Sequence, residues 1–159
     1  MKFVRFLFLM GLLVAGVFWI GGRFSDGPIA MFPGGPLVGG DLVSQRAVDW
    51  NFARDLDTLE MQLVNPPRSR TLWLIVHGGQ LYLPCGVPNF RLWKQWPHEA
   101  LADGRAVIRI DGKRYERRLE RVTQPAMWQI LADATAEKYG SYGDADEDSL
   151  WFFRVAPRL

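Results

Sequence analysis

From residue 58 onward the chain alternates between apolar and polar positions. Leu59, Met61 and Leu63 interleave with Thr58, Glu60 and Gln62, the two-residue period of a strand buried on one face. Residues 71–76, Thr-Leu-Trp-Leu-Ile-Val, are apolar on both parities, which predicts a central strand covered on both sides. His77-Gly78-Gly79-Gln80 then predicts a tight turn into a partner strand over residues 80–84. The clearest hairpin joins residues 106–110 to 113–122 through Asp111-Gly112, because Asp-Gly between alternating runs is a strong short-range turn signal. Its parity places Ala106, Ile108 and Ile110 on one face of the first arm. On the second arm Tyr115 and Leu119 share a face, with Arg117 between them. Residues 150–156, Leu-Trp-Phe-Phe-Arg-Val-Ala, predict a closing strand.

Two segments carry the helical period instead. Met127, Ile130, Leu131 and Ala134 recur at i, i+3, i+4 and i+7, with Thr123 offered as N-cap, Pro125 in the first turn and Gly140 as the stop. A shorter helix is expected over residues 90–102, begun or kinked at Pro97. The acidic run at residues 144–148 reads as a solvated loop, since it lacks the glycine and terminal glutamate of a calcium loop. About six strands and two or three helices, connected mostly by hairpins, predict an α+β chain that is mainly β, an antiparallel sheet curled into a small barrel with helices outside.

The N-terminal third follows another pattern. Lys2 and Arg5 precede seventeen uncharged residues, 6–22, close to the lower limit of the about 17–25 needed to span a bilayer. The bulky end, Phe18-Trp19-Ile20, is a poor cleavage site, so residues 1–22 are expected to form an uncleaved single-pass transmembrane anchor in the cytoplasmic membrane. The flanking positive charges keep the N-terminus inside and place the globular part beyond the membrane. Residues 23–40 hold three prolines and five glycines, a density that blocks regular helix and central strand. Ile29, Met31, Phe32, Leu37 and Val38 are too apolar for a free linker. Residues 23–57 therefore read as a tether with a turn or short helix, lying along a surface, and residues 58–157 as the barrel domain.

Composition narrows the chemistry. A net charge of +2 is too mild an excess to make nucleic acid the expected partner, since that needs a clustered basic face. Cys85 is the single cysteine and His77 and His98 the two histidines, which leaves no disulfide, no Cys-rich or His-rich metal motif and no metal site to expect. Cys85 reads as a small buried filler rather than a reactive thiol, and His98 as a weak candidate proton donor.

The chain resembles the FMN-binding split-barrel superfamily, which includes pyridoxamine-phosphate-oxidase-like proteins and deazaflavin-dependent nitroreductases. The likeness rests on residues 66–84 (PPRSRTLWLIVHGGQLYLP), residues 89–123, and the helix and aromatic strand after them. It implies a six-stranded antiparallel split β-barrel, FMN or a related flavin as cofactor, and a homodimer. By position it implies Arg68, Ser69, Arg70 and Thr71 as part of the cofactor phosphate site, and Trp93 and Lys94 as residues beside the cofactor. The residue types suit that role, because Arg holds a phosphate dianion bidentately and hydroxyls fill the remaining acceptors. The bland alternative is that these arginines merely fringe a strand. Arg117 joins the candidates because its parity puts a guanidinium on an apolar face, where it needs Glu60, another acid or a ligand anion as partner. Trp73, Trp93 and Trp96 either stack on an isoalloxazine ring or belong to the core.

Two functions remain in view. One is a membrane-anchored flavin-binding protein able to carry out two-electron reduction of the nitroreductase or quinone-reductase type, with the cofactor performing the chemistry. The other is a noncatalytic anchored barrel that binds a protein or lipid partner, favoured by a topology that points the domain away from the cytoplasm.

Overall fold

The Asp-Gly and Gly-Gly turns close as their chemistry requires. In the computed structural model, which describes residues 2–30, 32–92, 94–142 and 144–158, Asp111 and Gly112 have φ of 49° and 69°, and Gly78 and Gly79 have 57° and 73°. Two consecutive positive φ values are the turn whose twist matches that of the flanking strands. The first turn joins β6 (Arg105–Ile110) to β7 (Lys113–Arg121), pairing Ile110 with Lys113. The second joins β4 (Ile75–His77) to β5 (Gln80–Gly86), pairing His77 with Gln80.

The apolar run at residues 71–76 is not one strand. It breaks at Leu74 into β3 (Ser69–Trp73), which pairs with β2 (Thr58–Leu63), and β4, which pairs with β5. Since the sheet runs β3-β2-β6-β7-β8-β5-β4, with β8 over Leu150–Pro157, one bent segment occupies both of its ends. The sheet is thereby drawn round into a barrel. The six expected strands become eight, because the second is split and a two-residue β1 (Asp41–Leu42) from the tether adds to β7 in parallel. The sheet is otherwise antiparallel, and with three helices the chain is α+β.

Alternation assigns the two sides of the wall. Leu59, Met61, Leu63, Leu81, Leu83, Ile108, Leu119, Phe153 and Val155 fill the interior with Trp96 and Ala100 of α2 (Trp96–Ala102). α2 starts later than residue 90, with Pro97 in its first turn, where the fixed φ of proline suits a helix. Outside the wall, Ile75, Tyr82, Leu150 and Phe152 meet α3 (Pro125–Tyr139). That helix stops at Gly140, φ 62°, as expected, but its N-cap is Gln124 rather than Thr123 and makes no side-chain cap bond. Its buried stripe is Trp128, Leu131, Ala132 and Thr135, one position on from the expected set, and Ile130 is 41% exposed. Trp128 decides this rotation. It carries the largest apolar surface on the helix, and its indole N–H donates to Leu150 O at 2.8 Å. Thr135, buried in consequence, donates its hydroxyl to Leu131 O at 2.6 Å.

Residues 2–21 form α1 (Lys2–Gly21). Among the described residues no helix is long and apolar enough to cross a membrane, so the transmembrane assignment of residues 1–22 is not carried by the structure. α1 packs mainly on the 3-10 turn Gly22–Phe24 that follows it, and Val4, Phe6, Leu7, Phe8, Leu9, Met10 and Leu13 are exposed. The tether then runs back along the barrel. Leu37 is buried, with its N–H bonded to Gln62 Oε1 at 2.7 Å.

Candidate functional site

The strand entrance at residues 68–71 is divided by the pleat. Leu72 packs against the barrel interior, so Arg70 shares the inward face, whereas Ser69 and Thr71 point to the other side. There the tether meets them. Ser69, fully buried, donates its hydroxyl to Gly35 O at 2.6 Å, and Gly34 and Ser69 exchange backbone bonds at 2.9 and 3.2 Å. Thr71 Oγ1 donates to Ala30 O at 3.3 Å. Both hydroxyls assigned to a phosphate from the sequence thus donate to carbonyls of the chain itself.

Arg70 lies 4.0 Å from Glu99 Oε2 on α2, and its side chain is 15% exposed. Burial pushes the guanidinium below its usual pKa, with Glu99 acting in the opposite direction. Glu99 Oε2 is buried without a hydrogen bond. Cys85 shares this corner, and burial raises its thiol to about 11 against the lowering effect of Lys94 and Arg70, which makes it the inert filler expected. Lys94 is half-buried, with its backbone N–H on Phe90 O at 2.9 Å. Trp93 lies outside the described residues. Arg70 and Lys94 therefore share one corner of the barrel, and Arg68, half-buried, immediately precedes β3. His98 Nε2 meets Pro88 O at 2.9 Å, a bond in which the ring N–H donates. Trp73 stacks on Tyr139 with ring centroids 4.4 Å apart, and Trp96 packs in the interior on Phe153. Both rings already have aromatic partners.

Arg117 is elsewhere, on β7, three places from β3 in the sheet. It is 4% exposed, as its parity foretold. Among the described residues its partner is neither Glu60 nor any other acid. Nη1 donates to Glu116 O at 2.7 Å and Nη2 to Gln45 O at 2.9 Å, and the guanidinium lies over Trp50 and Tyr115, 5.6 and 5.4 Å from their centroids. It lines a cavity of about 340 Å³ together with Ser44, Arg46, Glu116 and Arg158.

A larger cavity, about 500 Å³, opens between the tether and the outer face of β2 and β6. Arg109 organises it, with Nε bonded to Glu60 Oε2, Nη1 to Asp26 Oδ1 at 2.8 Å, and Nη2 to Asp26 O at 3.3 Å. The Glu60 bond leads in holding this guanidinium above its usual pKa. Asp26 is held below its usual value, first by the Val38 N–H and also by Gly39 N–H and Arg109. With Asp111 on its rim, the cavity sets three carboxylates against one guanidinium. Sequence reasoning missed this cluster. The outward parity of Glu60 and Arg109 was visible, but their pairing as direct cross-strand neighbours needed the β2–β6 register.

In this arrangement the two hydroxyls at the strand entrance are taken by the tether, and the cavity beside them carries three carboxylates, an unfavourable setting for a dianion.

An antiparallel sheet closed by one bent strand, with a helix plugging the interior and another on the outer wall, defines a small split β-barrel. A crystal structure of the conserved hypothetical protein Rv2991 from Mycobacterium tuberculosis superposes with a TM-score of 0.52, at 18% identity over 75% of this chain and 84% of that one. The likeness to that structure is one of fold. A putative pyridoxamine 5'-phosphate oxidase from Listeria innocua matches more loosely, with a TM-score of 0.44 at 13% identity over 64% of this chain and 82% of that one. No family model and no curated protein matches the chain.

Proposed function

We propose that this chain is a noncatalytic split-barrel binding domain held at a membrane by α1, with its tether seated where a flavin phosphate would otherwise meet β3. The observation that carries this reading is the pair of bonds from Ser69 Oγ to Gly35 O and from Thr71 Oγ1 to Ala30 O. Groups already bonded within the protein gain little by turning to a ligand. Membrane attachment draws on the seven large apolar side chains exposed on α1, which need a nonaqueous environment, and the positive charges flanking residues 6–22 favour a barrel beyond the cytoplasmic face. Purified full-length protein in an uncharged detergent should be colourless and leave the fluorescence of added FMN unchanged. A yellow protein, or saturable quenching, would overturn the noncatalytic reading. Retention in the membrane fraction after an alkaline wash tests the anchor, and a reporter enzyme fused to the C-terminus tests the orientation.

The fold favours a second reading, since split-barrel proteins commonly bind a flavin. On this reading residues 23–40 swing away from β3, Arg68, Ser69, Arg70 and Thr71 turn to an FMN phosphate, and Trp93 and Lys94 flank the cofactor in a homodimer able to reduce nitro or quinone acceptors. Deleting residues 1–40 should then confer FMN binding that the full chain lacks.

A further inference from the structure

We propose that the cavity between residues 42–46 and the β7–β8 wall is an oxyanion site, in which Arg46, Arg117 and Arg158 hold a phosphate or carboxylate group. Arg117 is the reason to look there. A guanidinium that is 4% exposed is costly to bury without a counter-charge, yet its two hydrogen bonds go to carbonyls, Glu116 O and Gln45 O. Those bonds use two of the five N–H groups an arginine carries. The rings of Trp50 and Tyr115 lie against the guanidinium and hold it in place, as a preorganised binding group requires. Burial pushes its pKa down, the direction expected of a cation short of negative charge.

The surroundings add to the imbalance. Arg158 and Glu116 meet at 3.5 Å, and Arg46 lines the same cavity without an ion pair among the described residues. Three guanidinium groups thus face one carboxylate around about 340 Å³, with the Ser44 hydroxyl as a further donor. Phosphate and carboxylate are the groups that arginine binds through paired N–H donors. The cavity beside Arg109, with its three carboxylates, has the opposite charge balance. The two lie on different strands, and β7 is three places from β3, so occupancy here is independent of whether flavin binds at residues 68–71.

The full chain in dodecyl maltoside micelles would be titrated with inorganic phosphate by calorimetry at low ionic strength, with potassium chloride at matched ionic strength as the control. A saturable heat for phosphate alone is expected. The R46Q/R158Q double variant should weaken it at least tenfold, the scale of one lost charge-assisted bond, and Arg117→Lys, which keeps charge but loses the planar fork, should do the same. Arg46 is exposed and Arg158 half-buried, so the double variant should keep the wild-type circular dichroism even if changes at the buried Arg117 unfold the chain. Mixed micelles containing phosphatidylglycerol distinguish the source. Tighter binding there than to free phosphate assigns the site to a lipid headgroup, and binding of free phosphate only assigns it to a soluble ester. No saturable heat with either probe, or equal affinity in the double variant, overturns the proposal.

Discussion

Replacing Ser69 with alanine removes the hydroxyl that locks the tether to β3 and leaves the backbone pairing with Gly34 in place. Ser69 and Gly35 are both buried, and the bond between Ser69 Oγ and Gly35 O is 2.6 Å long. A hydrogen bond of this kind contributes about 0.5–1.5 kcal/mol net, and a buried acceptor left without a donor costs about 1–3 kcal/mol. No other bond to Gly35 O is present among the described residues, so the loss should be about 2 kcal/mol, or roughly 4–8 °C in Tm for a chain of this size. Part of it should show as local detachment, because a short tether can open without unfolding the barrel. The assay is thermal denaturation monitored by circular dichroism, run beside limited proteolysis with cleavage mapped to residues 23–40. Ser69→Ala should melt earlier and be cut faster within the tether. If the variant melted with the wild type and its tether were cut no faster, the hydroxyl would not be a latch. If it also lost FMN affinity, the flavin reading would take its place.

Three further outcomes follow from the same contacts. Gly34→Ala should destabilise at least as much as Ser69→Ala, because its Cβ would run into the backbone of Gly27 and Pro28, whereas Gly112→Ala, with φ 69° and open space around it, should cost only about 1 kcal/mol; denaturant midpoints check both. Asp26 titrates below its ordinary 3.8 in the folded chain, so the stability it lends is full above that pH and is lost as pH falls below 3.8 through the folded value. Cleavage within residues 23–40 by an acid protease should rise over that range in the wild type, and Asp26→Asn should be cut at a rate flat with pH; a wild-type profile as flat as the variant's would refute the Asp26–Arg109 clamp. Cys85, held at about 11 by burial, should be roughly one part in a thousand thiolate at pH 8 and react with a disulfide reagent only after denaturation. Rapid labelling of the native protein would show that the barrel corner is open.

Much of the architecture was legible before any coordinates. Asp111-Gly112, Gly78-Gly79 and Gly140 occupy the positive-φ positions their residue types imply, and the parity of residues 113–121 put Tyr115, Arg117 and Leu119 inside. These are short-range matters, decided by steric rules over a few residues and by a two-residue period that leaves no choice of face. The helical stripe of α3 was one position off for a reason of weight rather than period. Both stripes fit 3.6 residues per turn, and Trp128, with an acceptor waiting at Leu150 O, chose between them.

Only the tertiary structure decided how distant segments share partners. Nothing in residues 71–76 marks Leu74 as the point where one strand leaves β2 for β5, because that break is imposed by closing the sheet. Likewise the letters of Arg68-Ser69-Arg70-Thr71 read equally well as a phosphate cradle or as a fringe. Their actual partners, Gly35, Ala30 and Glu99, lie about thirty to forty residues away in one direction or the other. Arg117 was placed inward by local rules, but the carbonyl of Gln45, 72 residues back, was not foreseeable. Periodicity states which face a side chain occupies. What waits on that face depends on contacts that cost loop entropy to form and that only the folded chain brings together.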